Sequence, residues 1–123
     1  MKQFLFLSII FVFLIGCGVK TPNDLRQNHE GKIHFIVNKG YQEVYRNIVE
    51  YEEMPVHETC SELYTDIKSG KIYLRGVFTP FYSFVLIDII HIEPEITEVN
   101  YYYYFPVWKD LGDKIKKRLL HNQ

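Results

Sequence analysis

Ser83-Phe84-Val85-Leu86-Ile87-Asp88-Ile89-Ile90-His91-Ile92 is the stretch that decides the fold. Only Asp88 and His91 interrupt an apolar run that occupies both faces of an extended chain. That pattern predicts a strand covered on both sides, at the centre of a sheet. Such a strand needs neighbours, and both flanks supply them. Upstream, Ile72, Leu74 and Gly76 alternate with Tyr73, Arg75 and Val77. Lys68-Ser69-Gly70-Lys71 reads as a hairpin turn from a preceding strand, Ser61 to Ile67, with Leu63, Thr65 and Ile67 on one side. Downstream, Glu93-Pro94-Glu95 turns the chain into Ile96–Phe105, rich in β-branched residues and tyrosine.

The outer parts of the chain change period. Lys32–Val37 places Ile33, Phe35 and Val37 on one face of a first strand, and Asn38 is positioned to cap the element that follows. Tyr41, Val44, Tyr45, Ile48 and Val49 then recur at helical spacing, until Met54-Pro55 stops the helix. Pro106 opens a last helix whose apolar stripe is Trp108, Leu111, Ile115 and Leu119. The order is β-α-β-β-β-β-α. Short turns between consecutive strands predict antiparallel pairing in a meander, with both one-sided helices packed on one face: an α+β two-layer domain. The order resembles the helix-grip arrangement, in which a curved antiparallel sheet wraps a C-terminal helix. The resemblance is topological, and fold alone does not imply function.

The N-terminus has a different character. Met1-Lys2 is a short basic start, and Phe4–Ile15 is almost unbroken apolar sequence. A core of about twelve apolar residues suits a secretory signal, whereas a spanning helix needs about twenty. It closes in Leu14-Ile15-Gly16-Cys17, which resembles the lipobox of bacterial lipoproteins. The resemblance implies cleavage after residue 16, acylation of Cys17 and anchoring in a membrane. Gly18, where Asp would favour the inner membrane, implies the outer membrane if the source is Gram-negative. Residues 17–31 then read as a lipidated N-terminus with a flexible tether, and 32–123 as a single domain. The composition is that of a folded chain, with ten Tyr and nine Phe in 123 residues, and the formal charge of −1 gives no reason to expect a nucleic-acid partner.

Few residues point to chemistry. With Cys17 acylated, Cys60 has no partner for an internal disulfide. It is expected to be buried and inert, with a disulfide to another chain or a metal or nucleophilic role as lesser options. His57 and Cys60 are two ligand types where a metal site needs about three or four, so no metal or cofactor is expected. His34 and His91 lie within strands and are expected to be structural. Asp88 interrupts an apolar strand and requires a partner if buried, with Arg75 the nearest candidate in sequence terms, or an open sheet face. Tyr101, Tyr102, Tyr103 and Tyr104 place two rings on each face of one strand. With Trp108, and with Tyr73 or Tyr82 nearby, they are the candidate binding surface, against ordinary cross-strand packing. The C-terminal helix carries Lys109, Lys114, Lys116, Lys117 and Arg118, a solvated face favourable near a helix C-terminus.

The expected function is therefore that of a membrane-anchored cell-envelope lipoprotein with a non-catalytic binding or assembly domain. Its expected partners are the membrane, through the lipid, and another envelope protein or a glycan. The alternative is a carrier holding a lipid or other apolar ligand between sheet and C-terminal helix, which requires an enclosed apolar cavity. A third is a small envelope enzyme built on Asp88, His91 or the His57 and Cys60 pair, which requires those groups to converge.

Overall fold

The computed structural model describes residues 22–54, 59–75 and 83–121. The signal, Cys17, His57, Pro55, Thr79-Pro80 and Tyr82 lie outside the described residues. The elements run α1 (Pro22–Asn28), β1 (Gly31–Val37), α2 (Tyr41–Val49), β2 (Thr59–Tyr64), β3 (Ser69–Arg75), β4 (Ser83–Glu93), β5 (Ile96–Tyr103), a 3-10 turn (Pro106–Trp108) and α3 (Lys109–His121). The architecture is α+β. Five strands form one open antiparallel sheet in the order β1-β5-β4-β3-β2. β2 to β5 make the meander expected from their short connections. β1 joins the far side of β5 and puts β4, the strand apolar on both faces, in the middle.

One face, here called inner, carries the main core. Phe35 and Val37 of β1, Ile72 and Leu74 of β3, Val85, Ile87 and Ile89 of β4, and Val99 and Tyr101 of β5 are buried there. They are covered by Val44 and Ile48 of α2 and by Leu111, Ile115 and Leu119 of α3. Both helices present the stripes that their spacing predicts, except that Val49 at the end of α2 is exposed, and each buried aliphatic side chain is worth about 1.5–3 kcal/mol relative to exposure. α3 lies very close to the sheet. A Cβ on Gly112 would stand 2.5 Å from the Tyr101 ring and 2.7 Å from Ile33 Cδ1. The Tyr101 hydroxyl donates to the Trp108 carbonyl at 2.6 Å, which ties the start of the helix to the strand beneath it.

Several boundaries differ from expectation. Residues 22–28 are not a tether but a helix on the opposite, outer face, where Leu25 is fully buried against Leu86 and Tyr102. A seven-residue helix is too short to hold itself together in water, so docking supplies its stability. α2 ends at Val49 and the chain continues through turns to a buried Met54. Its N-cap is Gly40, and no side chain caps it. The β2–β3 turn falls at 65–68, not at Lys68–Lys71, with Lys68 in the left-handed region at φ 51°. Gly70 is already inside β3. A Cβ there would stand 2.9 Å from the Tyr45 ring, so its small size lets α2 approach the sheet instead of making the turn.

Candidate functional site

The outer face has an ordered layout that follows from strand register. His34, Asn100, Asp88, Lys71 and Glu62 sit opposite one another on consecutive strands and form one polar row across all five. The adjacent row is Lys32, Tyr102, Leu86, Tyr73 and Cys60, largely aromatic and apolar. α1 lies on this second row through Leu25 and reaches back to the first through Arg26. The row on the other side is Ile36, Glu98, Ile90, Ser69 and Tyr64.

Asp88 is the pivot. Arg26 Nε donates to its Oδ2 and Nη2 to its Oδ1, both at 2.7 Å, a fork-to-fork pair. The Asp88 carboxylate raises the pKa of the Arg26 guanidinium, chiefly through these hydrogen bonds. The expected partner Arg75 is thus replaced by Arg26, sixty-two residues away in sequence; the side chain of Arg75 lies outside the described set. Elsewhere in the row, Glu62 accepts from the Tyr64 hydroxyl and pairs with Lys71 Nζ at 3.2 Å, and these contacts lower its pKa. Glu98 Oε1 is 3.1 Å from His34 Nε2 and accepts from Asn100 Nδ2 at 3.2 Å. Lys32 and Lys71 stand over the Tyr102 and Tyr73 rings at 5.3 and 5.4 Å, a favourable cation–π geometry. A cleft of about 380 Å³ opens between α1 and the β2–β3 hairpin, lined by Arg26, Tyr64, Ile67, Lys71, Asp88 and Ile90 among others.

The tyrosines do not form the exposed patch envisaged for them. Tyr101 is 1% exposed in the inner core, where burial raises its pKa. Tyr103 packs against the edge of the same core, and Trp108 is half-buried beside it. Tyr102 is buried under α1, its ring 5.0 Å from that of His29, and Tyr104 is half-buried with its ring edge-on to Phe105. Because the run alternates faces and both faces are covered, the five residues are split between two cores. The groove beside Trp108, about 230 Å³, is an open surface feature with Glu53, Asp110 and Lys114 on its rim. It does not lie between sheet and helix, where Gly112 leaves Tyr101 and Ile33 no slack.

Nor do the candidate catalytic groups converge among the described residues, which do not include His57. Asp88 is on the outer face. His91 is on the inner face, its ring 5.8 Å from that of Tyr41, and pairs across the ladder with Thr97. Its Nδ1 and Asn100 Oδ1 are buried without a hydrogen-bond partner among the described residues. His34 is on the outer face, so the two strand histidines do not meet. Cys60 is half-buried on the edge strand. Among the described residues no three His, Cys, Asp or Glu side chains are gathered closely enough to hold a metal ion. The basic side of α3 is partly neutralised: Lys114 pairs with Glu53 at 3.1 Å and Asp110 at 3.3 Å, and hydrogen bonds to both raise its pKa.

Sequence reasoning missed the exposed apolar strip at the open end of the outer face. Ile36 and Ile90 are each 39% exposed, Tyr64 37% and Ile67 69%. Its signal was present at Ile36, which points away from the buried Phe35 and Val37. At Ile90 the signal was masked by the apolar residues on either side. No protein-family model, characterised protein or solved structure matches the chain.

Proposed function

We propose that the chain is a lipid-anchored protein of the bacterial cell envelope, whose folded domain binds a partner and does no chemistry of its own. The observation that carries this reading is the Leu14-Ile15-Gly16-Cys17 ending of the apolar segment Phe4–Ile15. Acylation there would place two or three chains on one residue. At about 0.8 kcal/mol per buried methylene, that holds a protein firmly where a single chain holds it marginally. Gly18 in place of Asp supports the outer membrane in a Gram-negative cell. The partner is sought among envelope proteins and glycans.

The docking of α1 sharpens this reading. Only five residue steps separate Cys17 from Pro22, and an extended chain spans at most about 3.6 Å per residue. The start of α1 would therefore lie within about 18 Å of the acylated cysteine, a close hold compared with the loose tether expected from residues 17–31. The binding reading is also favoured over the carrier reading, because the helix that would cover a ligand instead touches the sheet at Gly112.

Mass spectrometry of the protein isolated from its own membranes tests the anchor. The expected species begins at Cys17 and carries a diacylglyceryl thioether, and Cys17→Ser abolishes incorporation of labelled palmitate. A chain that starts at Met1, or that is cut elsewhere and unacylated, overturns the reading. Crosslinking in intact envelopes then seeks the partner.

A further inference from the structure

We infer that the exposed strip Ile36, Ile67, Ile90 and Tyr64 rests in the headgroup layer of the bilayer, so that the domain docks with its outer face down. The inference rests on the lipid-anchor reading and extends it from an attachment to an orientation.

The first observation is where the strip lies. α1 covers the Tyr102–Leu86 row, while the row Ile36, Glu98, Ile90, Ser69, Tyr64 at the other end is left exposed. Ile67, in the adjoining turn, is the most exposed of these side chains at 69%. The second is charge. The one carboxylate of that strand row, Glu98, is within hydrogen-bond distance of His34 and Asn100. On the polar row beside it, Arg26 and Lys71 are joined to Asp88 and Glu62, while Asp66 and Lys68, one charge of each sign, flank Ile67 in the turn. The charges on the polar row are therefore paired, and paired charges lose less on leaving bulk water than isolated ions do, while those of the turn are balanced in sign. An apolar face with such a border suits shallow insertion among headgroups of any charge, and calls for no anionic lipid.

The third observation is chain length. Arg26 lines the same cleft as Ile67 and Ile90. From Arg26 back to Pro22 is about 6 Å along the helix, at about 1.5 Å per residue. From there to Cys17 the chain reaches at most about 18 Å. The described chain thus begins on the same face as the strip, and a short link from Pro22 to an acylated Cys17 favours turning that face toward the membrane. The helices α2 and α3, with Lys116 and Lys117, are on the other side of the sheet.

The test uses the full acylated chain in phosphatidylcholine vesicles. Acylation is first verified by mass spectrometry, so that failure of the anchor is seen separately. In a Cys60→Ser background, an environment-sensitive fluorophore is attached at Ile67→Cys or, for comparison, at Lys117→Cys. The expected result is that the probe at position 67 is quenched by lipids brominated near the headgroup and is several-fold better protected from aqueous iodide than the probe at 117. Ile36→Asp with Ile90→Asp, both at exposed positions, removes this protection while the circular dichroism spectrum and vesicle retention stay unchanged. Equal iodide access at 67 and 117 in an acylated, vesicle-bound protein overturns the inference and leaves the anchor standing. Protection from iodide without lipid quenching, accompanied by crosslinked pairs, also overturns it and assigns the strip to a second copy of the chain.

Discussion

Replacing Gly112 by Ala sets two effects of opposite sign against each other inside α3. Alanine is favoured over glycine within a helix by about 1 kcal/mol. The new Cβ, however, would lie 2.5 Å from the Tyr101 ring and 2.7 Å from Ile33 Cδ1, closer than carbon atoms approach one another. Tyr101 has no room to turn aside, since it is 1% exposed and its hydroxyl is tied to the Trp108 carbonyl at 2.6 Å. The helix must lift, and overpacking of this kind costs about 1–3 kcal/mol, here toward the upper end. The expected net change is a loss of about 1–2 kcal/mol, or roughly 4–8 °C in Tm per kcal/mol for a domain of this size. Urea unfolding followed by the fluorescence of the single tryptophan, Trp108, measures it. Ile33→Val removes one of the clashing atoms and should return part of the loss when combined with Gly112→Ala. A Gly112→Ala protein as stable as the parent, or more so, would show slack between helix and sheet. It would refute the close-packing argument and revive the carrier reading.

Other expectations concern the outer face. Leu25→Ala should cost about 2–5 kcal/mol if α1 unfolds with the rest of the domain. If α1 detaches alone, hydrogen exchange at 23–28 should become fast while β4 stays protected, and full protection in both regions would contradict docking through Leu25. A double-mutant cycle with Arg26→Ala and Asp88→Ala should give a coupling of about 1–2 kcal/mol, well below the cost of breaking a fully buried pair because Arg26 is 38% exposed. A coupling near zero would leave Asp88 without its assigned role. Glu62 has its folded pKa lowered below the reference 4.5 by Tyr64 and Lys71. Its contribution is therefore present above that pH and lost as pH falls through the folded value. Glu62→Gln should flatten the acid limb of the stability curve, and an unchanged limb would remove Glu62 from the account.

Local pattern was a good guide wherever a segment's partner did not matter. The helical spacing of Leu111, Ile115 and Leu119 identified the buried side of α3, and the unbroken apolar run identified β4 as central. It failed where the same residues serve opposite environments. Gly70 sits in a turn-like tetrapeptide, yet its small size is used to admit the Tyr45 ring. The polar stretch before β1 has a single leucine at its centre. Sequence alone gives no reason for seven residues to become helical, because that reason lies in Leu86 and Tyr102 on distant strands. The aromatic candidates were chosen for their abundance, and abundance is shared by cores and binding surfaces.

The sequence by itself determined the strands and the two longer helices from β1 onward, the antiparallel meander, the apolar stripes of those helices and the motif from which an anchor is proposed at Cys17. These depend on periodicity and on short connections, which act between residues close in the chain. Only the tertiary structure decided that β1 pairs with β5, that Arg26 meets Asp88, and that α1 covers one half of the outer face and leaves the other to Ile36, Ile67 and Ile90. Those contacts join residues far apart in sequence, whose meeting is set by sheet register and by competition for the apolar surface that remains once the core has closed.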